Sequence, residues 1–292
     1  MQVSKAIQES ILPLGAKRVM FEQASDTLET IVLGSSHGDY AFDPAYVPNA
    51  FNLCYGALDL KHSYALYQRA LVSCPNLKNV VLFYSVFSPG GMLERSPDDG
   101  DIGPLVSALF DLGVEYQSDH LNTLTQALTR QLQEGMAAAL IEQVSQLDGY
   151  AGFMPNDKGA IPASELKTRL LSHIKLNYEA GADYYLLKIL AMANRLGHGV
   201  TLVIPPVSSA YRNTLNIRSS TLFRELIEVV DLFPWTVPIQ LINAYDDEAY
   251  VDSFFVDSDH LDARGEGARR LSRAIAEKVL GVEAAAAVAA TQ

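Results

Sequence analysis

Thr30-Ile31-Val32-Leu33-Gly34-Ser35-Ser36-His37-Gly38 is the stretch from which this chain is read. Four apolar or β-branched residues predict a short buried strand, and the glycine-flanked serines after it predict a tight turn. A serine hydroxyl is a poor nucleophile until an imidazole takes its proton, and the imidazole needs an acid to fix its tautomer. Asp257-Ser258-Asp259-His260, near the other end of the chain, offers both partners.

Outward from that stretch, short apolar runs alternate with helical periodicity, which predicts a parallel sheet with crossover helices. The first strand is residues 30–35. Ala50-Phe51-Asn52-Leu53 reads as the second, before Gly56, and a helix follows from Leu58 to Ser73. Asn79-Val80-Val81-Leu82-Phe83-Tyr84 is nearly all apolar and reads as a strand covered on both faces. Thr201-Leu202-Val203-Ile204 and Ile239-Gln240-Leu241-Ile242 complete five strands, and a last helix runs from Asp262 to Leu280. Between the third and fourth strands, Leu121, Leu124, Leu128, Leu132, Met136, Leu140, Val144 and Leu147 repeat at steps of three or four, with Ser118 or Asp119 as a cap. A second long helix opens near Pro162, carries Leu166, Leu170, Ile174, Tyr185, Ile189 and Leu196, and closes at Gly197. The organisation read from this is an N-terminal helical segment (1–29), an α/β domain (30–89 and 199–281), a helical insertion that lids or dimerises it (90–198) and a fraying tail (282–292).

Composition narrows the function. The chain has 292 residues, 49% of them apolar, with 34 acidic against 22 basic residues and a formal net charge of -12. Such a surface repels phosphate backbones, which argues against nucleic acid as a partner. The N-terminus is interrupted by Lys5 and Glu9 and lacks a signal-peptide core, and no stretch approaches the ~20 apolar residues of a membrane span. Cys54 and Cys74 fit no metal spacing and read as reduced, buried thiols, so a cytoplasmic location is expected.

Gly34-x-Ser36-x-Gly38 matches the nucleophile elbow of α/β-hydrolases in form, but that fold needs several strands before its serine and here only about thirty residues precede it. Gly34-Ser35-Ser36 after the first strand, with Asp257-x-x-His260-Leu261 at the far end, instead resembles the SGNH/GDSL hydrolases. The resemblance covers residues 28–90 and 199–280. It implies a three-layer α/β fold of the SGNH, flavodoxin-like type, with Ser36 as nucleophile, His260 as base and Asp257 as orienting acid. Asn52-Leu53-x-x-Gly56 looks like the family's second block, which implies an oxyanion role for the N–H groups of Ser36 and Gly56. His37 and Asn52 are candidate substrate-binding residues. The variant Gly-Ser-Ser block also resembles bacterial envelope and capsular polysaccharide O-acylation proteins.

Two departures stand out. The family carries Asp where Ser35 stands, and its third block places an oxyanion Asn after the third strand. Here that segment reads Tyr84-Ser85-Val86-Phe87-Ser88-Pro89, so Ser85 or Ser88 is the replacement donor. The expected activity is ester hydrolysis or O-acyl transfer on a small acyl ester or a saccharide, with no cofactor and no metal, and with homo-oligomerisation left open. The alternative is a catalytically inactive module of the same fold that binds a saccharide or a protein. The plain structural reading competes with both, since glycine-serine turns and Asp-Ser-Asp-His turns also serve as helix caps. Among other candidates, Ser118-Asp119-His120 reads as a cap, and His62, His173 and His198 read as isolated. Asp98-Asp99-Gly100-Asp101 lacks the closing Glu of a calcium loop, and Asp246-Asp247-Glu248 reads as a solvated turn.

Overall fold

The computed structural model describes residues 4–136, 150–154, 162–177 and 181–290. Five strands, β1 (Thr30–Leu33), β2 (Ala50–Asn52), β3 (Asn79–Phe83), β4 (Gly199–Ile204) and β5 (Ile239–Asn243), form one sheet in the order β2-β1-β3-β4-β5. Every pairing is parallel, with Ile31 opposite Phe51 and Val80, and Val80 opposite Val200. The strand order reverses direction between β1 and β3, and such a switch point opens a crevice at the carboxyl ends of the strands.

The helices are α1 (Lys5–Ala24), α2 (Ser36–Ala41), α3 (Leu60–Ser73), α4 (Ile102–Phe110), α5 (Asp119–Gln131), α6 (Leu166–Asn177), α7 (Asp183–Leu196), α8 (Ser209–Leu215), α9 (Ser219–Leu222), α10 (Arg224–Leu232), α11 (Glu266–Leu280) and α12 (Val282–Ala289). Because side chains alternate along a strand, each strand feeds two cores. Ile31, Leu33, Val80, Leu82, Leu202 and Ile204 pack on one face with Leu14 and Phe21 of α1, Tyr67 of α3, Leu105 of α4 and Ile189 of α7. Val32, Val81, Phe83 and Val203 pack on the other with Leu271, Ile275 and Ala276 of α11. The result is the three-layer α/β fold, with helices on both faces of a parallel sheet.

Several boundaries differ from the sequence reading. The stretch 90–198 is not set apart from the sheet in its described parts. Leu105, Leu124, Leu128 and Ile189 share one core with Ile31 and Leu82, and α7 is the crossover helix that packs on α3 and β4. The helix expected from Pro162 to Gly197 is two helices: its apolar steps continue past Gly181, but the φ of +137° there is one no helix accommodates. The Leu121 stripe is buried through Leu132, while the side chain of Met136 and residues Leu140, Val144 and Leu147 lie outside the described residues. The last long helix begins at Glu266 rather than Asp262. The Asp262 carboxylate accepts the Arg264 N–H (3.0 Å), and this side-chain turn displaces the first helical turn. The tail expected to fray forms α12, which buries Ala285 in the α11 core. No helix among the described residues is long and apolar enough to cross a membrane.

Candidate functional site

Gly34 begins the site. Its φ of +137° turns the chain out of β1 against β3, where a Cβ would lie 2.7 Å from the Cβ of Phe83. Ser36 then opens α2 and is half-buried at the β1/β3 switch point. The turn is held from beneath by buried polar groups. The Lys17 ammonium lies 2.9 Å from the Asp39 carboxylate and also donates to the carbonyls of Asn52 and Gly152. The Asn52 amide donates to the carbonyls of Gly38 (3.0 Å) and Phe42 (2.9 Å), and its oxygen accepts the Cys54 N–H (3.0 Å). Asn52 is fully buried, so the expectation that it binds substrate is corrected: both amide hydrogens and the oxygen are committed to the turn.

His260 arrives from the opposite end of the chain. The loop that carries it is pinned at both sides, since the Val256 N–H donates to the His260 carbonyl (2.9 Å) and the Asp262 N–H to the Phe254 carbonyl (2.8 Å). Within the loop, one Asp257 oxygen accepts the N–H groups of Asp259 (3.0 Å) and His260 (2.8 Å). The other lies 2.9 Å from His260 Nδ1, and His260 Nε2 lies 2.7 Å from Ser36 Oγ. A carboxylate at Nδ1 selects the tautomer with its proton there and leaves Nε2 to accept the serine proton. Burial pushes the Asp257 carboxyl up, but the hydrogen bonds from His260 and the Asp259 N–H, with the His260 charge, hold it below the usual carboxylate range. It is therefore an anion at neutral pH.

Around this chain of three residues sits a second, buried layer. The His37 ring lies tilted at 5.0 Å from the His260 ring, with Nδ1 3.4 Å from Ser35 Oγ and Nε2 3.4 Å from Asp259. Burial lowers the His37 pKa, so the ring is neutral. Its expected role in substrate binding is also corrected. His37 is only 4% exposed and faces a crevice too tight for a water molecule, shared with Ser85, His173, Tyr211 and Phe223. The Tyr40 ring also packs on His260, at 5.0 Å. Asp259 is gripped by Arg169 of α6, Nε to Oδ1 at 2.6 Å and Nη2 to Oδ2 at 2.9 Å. His173, four residues further along α6, lies 2.8 Å from the Tyr211 hydroxyl and packs on Phe87. Of the two helices expected to roof the site, α6 reaches it, whereas α5 packs on α4.

Gly56 lies just past β2, where the Tyr55 N–H donates to the Gly34 carbonyl (3.3 Å), so this exit runs beside the serine turn. The space that a Gly56 Cβ would take is open. Ser85 and Ser88 occupy the β3 exit. The Ser85 N–H donates to Ser88 Oγ (2.9 Å), and the two hydroxyls are 3.2 Å apart. Ligand atoms of His37, Asp259 and His260 come within 4.8 Å of one another, the arrangement among the described residues nearest to a metal site. Both Asp259 oxygens already accept from Arg169, and His260 Nε2 faces Ser36.

The remaining candidates fall elsewhere. His62 is not isolated: Asp59, three residues before it, lies 2.7 Å from its Nδ1. The spacing Asp59-x-x-His62 is the signal that gives this pair away. His198 is also partnered, its Nδ1 2.8 Å from the Tyr67 hydroxyl. His120 is exposed beside Asp101, and Asp246 accepts the Ser219 N–H. Both cysteines are free and buried. Arg169 and the Lys17–Asp39 pair had no local sequence signal, since each contact joins segments far apart in the chain. No protein-family model matches this chain, and no curated protein matches it by sequence.

Proposed function

We propose that the protein is a serine-dependent ester hydrolase or O-acyltransferase. The observation that carries this reading is the continuous link from the half-buried Ser36 hydroxyl through His260 to the Asp257 carboxylate, at 2.7 and 2.9 Å. These lengths fit a nucleophile, base and orienting acid within hydrogen-bond reach. Ser36 Oγ attacks an acyl carbonyl while His260 Nε2 takes its proton. The tetrahedral intermediate collapses to an acyl-serine as His260 returns that proton to the leaving alcohol. Asp257 stays ionised and stabilises the imidazolium. The N–H groups of Ser36 and Gly56 bind the oxyanion, with a hydroxyl of the Ser85–Ser88 pair as the further donor. Water as second acceptor gives an esterase, and a sugar hydroxyl gives an acyltransferase.

Resemblance to the SGNH/GDSL hydrolases supports this assignment, because the same three residue types stand after the first strand and before the last long helix. One feature favours an inactive binding module of that fold: the β3 exit carries Ser85 and Ser88 where the family carries an Asn. Turnover of an aryl acetate separates the two readings. The enzyme hydrolyses it slowly, and Ser36→Ala and His260→Ala lose activity equally, because groups that act as one unit are strongly non-additive. Wild-type turnover in Ser36→Ala would refute the assignment.

A further inference from the structure

We propose that Arg169 is a positioning residue for the Ser36 site: through Asp259 it clamps the turn that presents His260, so α6 must be docked for the site to be assembled. The inference rests on the serine-hydrolase reading for its kinetic test. Its physical basis is separate from that reading.

Asp259 sits inside the turn that Asp257 organises, since its N–H is one of the two that Asp257 accepts. Asp257 therefore fixes the turn from within. From outside, the Arg169 fork takes both Asp259 oxygens, and the Ser258 hydroxyl donates to the same carboxylate (2.9 Å). The Asp259 side chain is completely covered, with Arg169 itself only 20% exposed. A planar fork on a carboxylate fixes orientation as well as distance, which a lysine point charge does not.

The clamp also balances charge. His260 is faced by Asp257 and Asp259 from its own turn, by His37 and Tyr40 from α2 and by His173 from α6, while Arg169 stands behind Asp259 and is attracted by both carboxylates. Without Arg169, Asp259 becomes an unneutralised buried carboxylate one residue from His260. Its charge, which raises the pKa values of His37 and His173, is then unopposed, and it competes with Asp257 for the His260 ring. Arg169 opposes this, and its charge is among the influences that lower the pKa values of His37 and His173 after burial, the largest.

The test uses the full chain as wild type, Arg169→Met, Arg169→Lys, Asp259→Asn and the double variant R169M/D259N. Plateau kcat on an aryl acetate should fall about 10²-fold in Arg169→Met, the scale of a small misplacement of a reacting group, with KM nearly unchanged. Arg169→Lys should regain part of that loss. The acid limb of kcat/KM against pH should move up in Arg169→Met and down in Asp259→Asn, and return to the wild-type position in the double variant. A residue serving only the fold would leave that limb in place, and an unmoved limb in the folded single variants overturns the proposal. Should Arg169→Met fail to fold, the downward shift in Asp259→Asn decides the matter in the same way. Proton NMR supplies a readout without turnover. The downfield Nδ1–H signal of His260 should broaden in Arg169→Met and in Asp259→Asn, and less so in Arg169→Lys. If wild type hydrolyses nothing, the hydrolase reading fails while this signal still tests the clamp, and an unchanged signal in Asp259→Asn refutes it.

Discussion

The chain contains two Asp-x-x-His turns built alike. In one, Asp59 accepts the His62 N–H (2.9 Å) and faces His62 Nδ1 (2.7 Å), and His62 Nε2 ends on the Tyr116 hydroxyl (2.9 Å). In the other, one Asp257 oxygen accepts the His260 N–H and the second faces Nδ1, and His260 Nε2 ends on Ser36. The pairs differ in what lies beyond the imidazole. His62 is fully buried at the start of α3, and the second Asp59 oxygen takes the Leu93 N–H (2.6 Å), so the network ties α3 to the loop after β3. Ser36 is half-buried at the switch point of the sheet, the place where ligands of open α/β sheets generally bind. Spacing alone therefore makes an acid–imidazole pair, and the fold decides whether its far nitrogen meets a buried tyrosine or a half-buried serine, the second being the arrangement the proposed hydrolase needs.

The comparison predicts opposite phenotypes. Ser36→Ala and His260→Ala should each lower kcat/KM by about 10⁴-fold, while Ser36→Ala leaves the urea midpoint almost unchanged. Asp59→Ala should cost about 3 kcal/mol of stability, because it strands buried His62 and Leu93 groups, yet leave kcat/KM of the folded protein within about twofold. Parallel urea titrations and steady-state assays check both, and an inactive but fully stable Asp59→Ala would break the distinction. A smaller effect falls on the β3 exit. Ser85→Ala and Ser88→Ala should be assayed together, and the one that supplies the oxyanion donor should lose about 10²–10³ in rate.

The smallest effect is on acid stability. Burial holds the His173 pKa down at about 3, so the folded protein keeps this ring neutral. Its folded pKa is below the unfolded one, and its contribution is complete only above about pH 6.5 and falls as the unfolded chain takes up the proton. Between pH 6.5 and 5 this should remove about 1.5 kcal/mol beside the loss that buried His37 adds, and His173→Phe should reduce the measured loss by about that amount in urea titrations.

Much of this was legible because it is local. β1, β3 and β4 are short apolar runs, and Ser36, Asp257 and His260 stand in compact blocks whose spacing reflects the geometry they adopt. What escaped is non-local or turns on direction. Arg169 reaches Asp259 across 90 residues, and nothing near Arg169 announces it. Asn52 looks like a ligand-facing amide until β2 points it inward. The break before α7 is hidden because apolar steps persist on both sides of Gly181. His62 reads as isolated although its Asp partner stands at the same offset as in the terminal block.

The central claim is that His260 activates Ser36 in particular. The direct measurement is peptide mass spectrometry after exposure to a fluorophosphonate, which phosphonylates only an activated serine. Wild type should carry one adduct, on Ser36, and His260→Ala should carry none, while His62→Ala, once folded, labels like wild type. No adduct in wild type, an adduct on another serine such as Ser35, or undiminished labelling of His260→Ala would contradict the account.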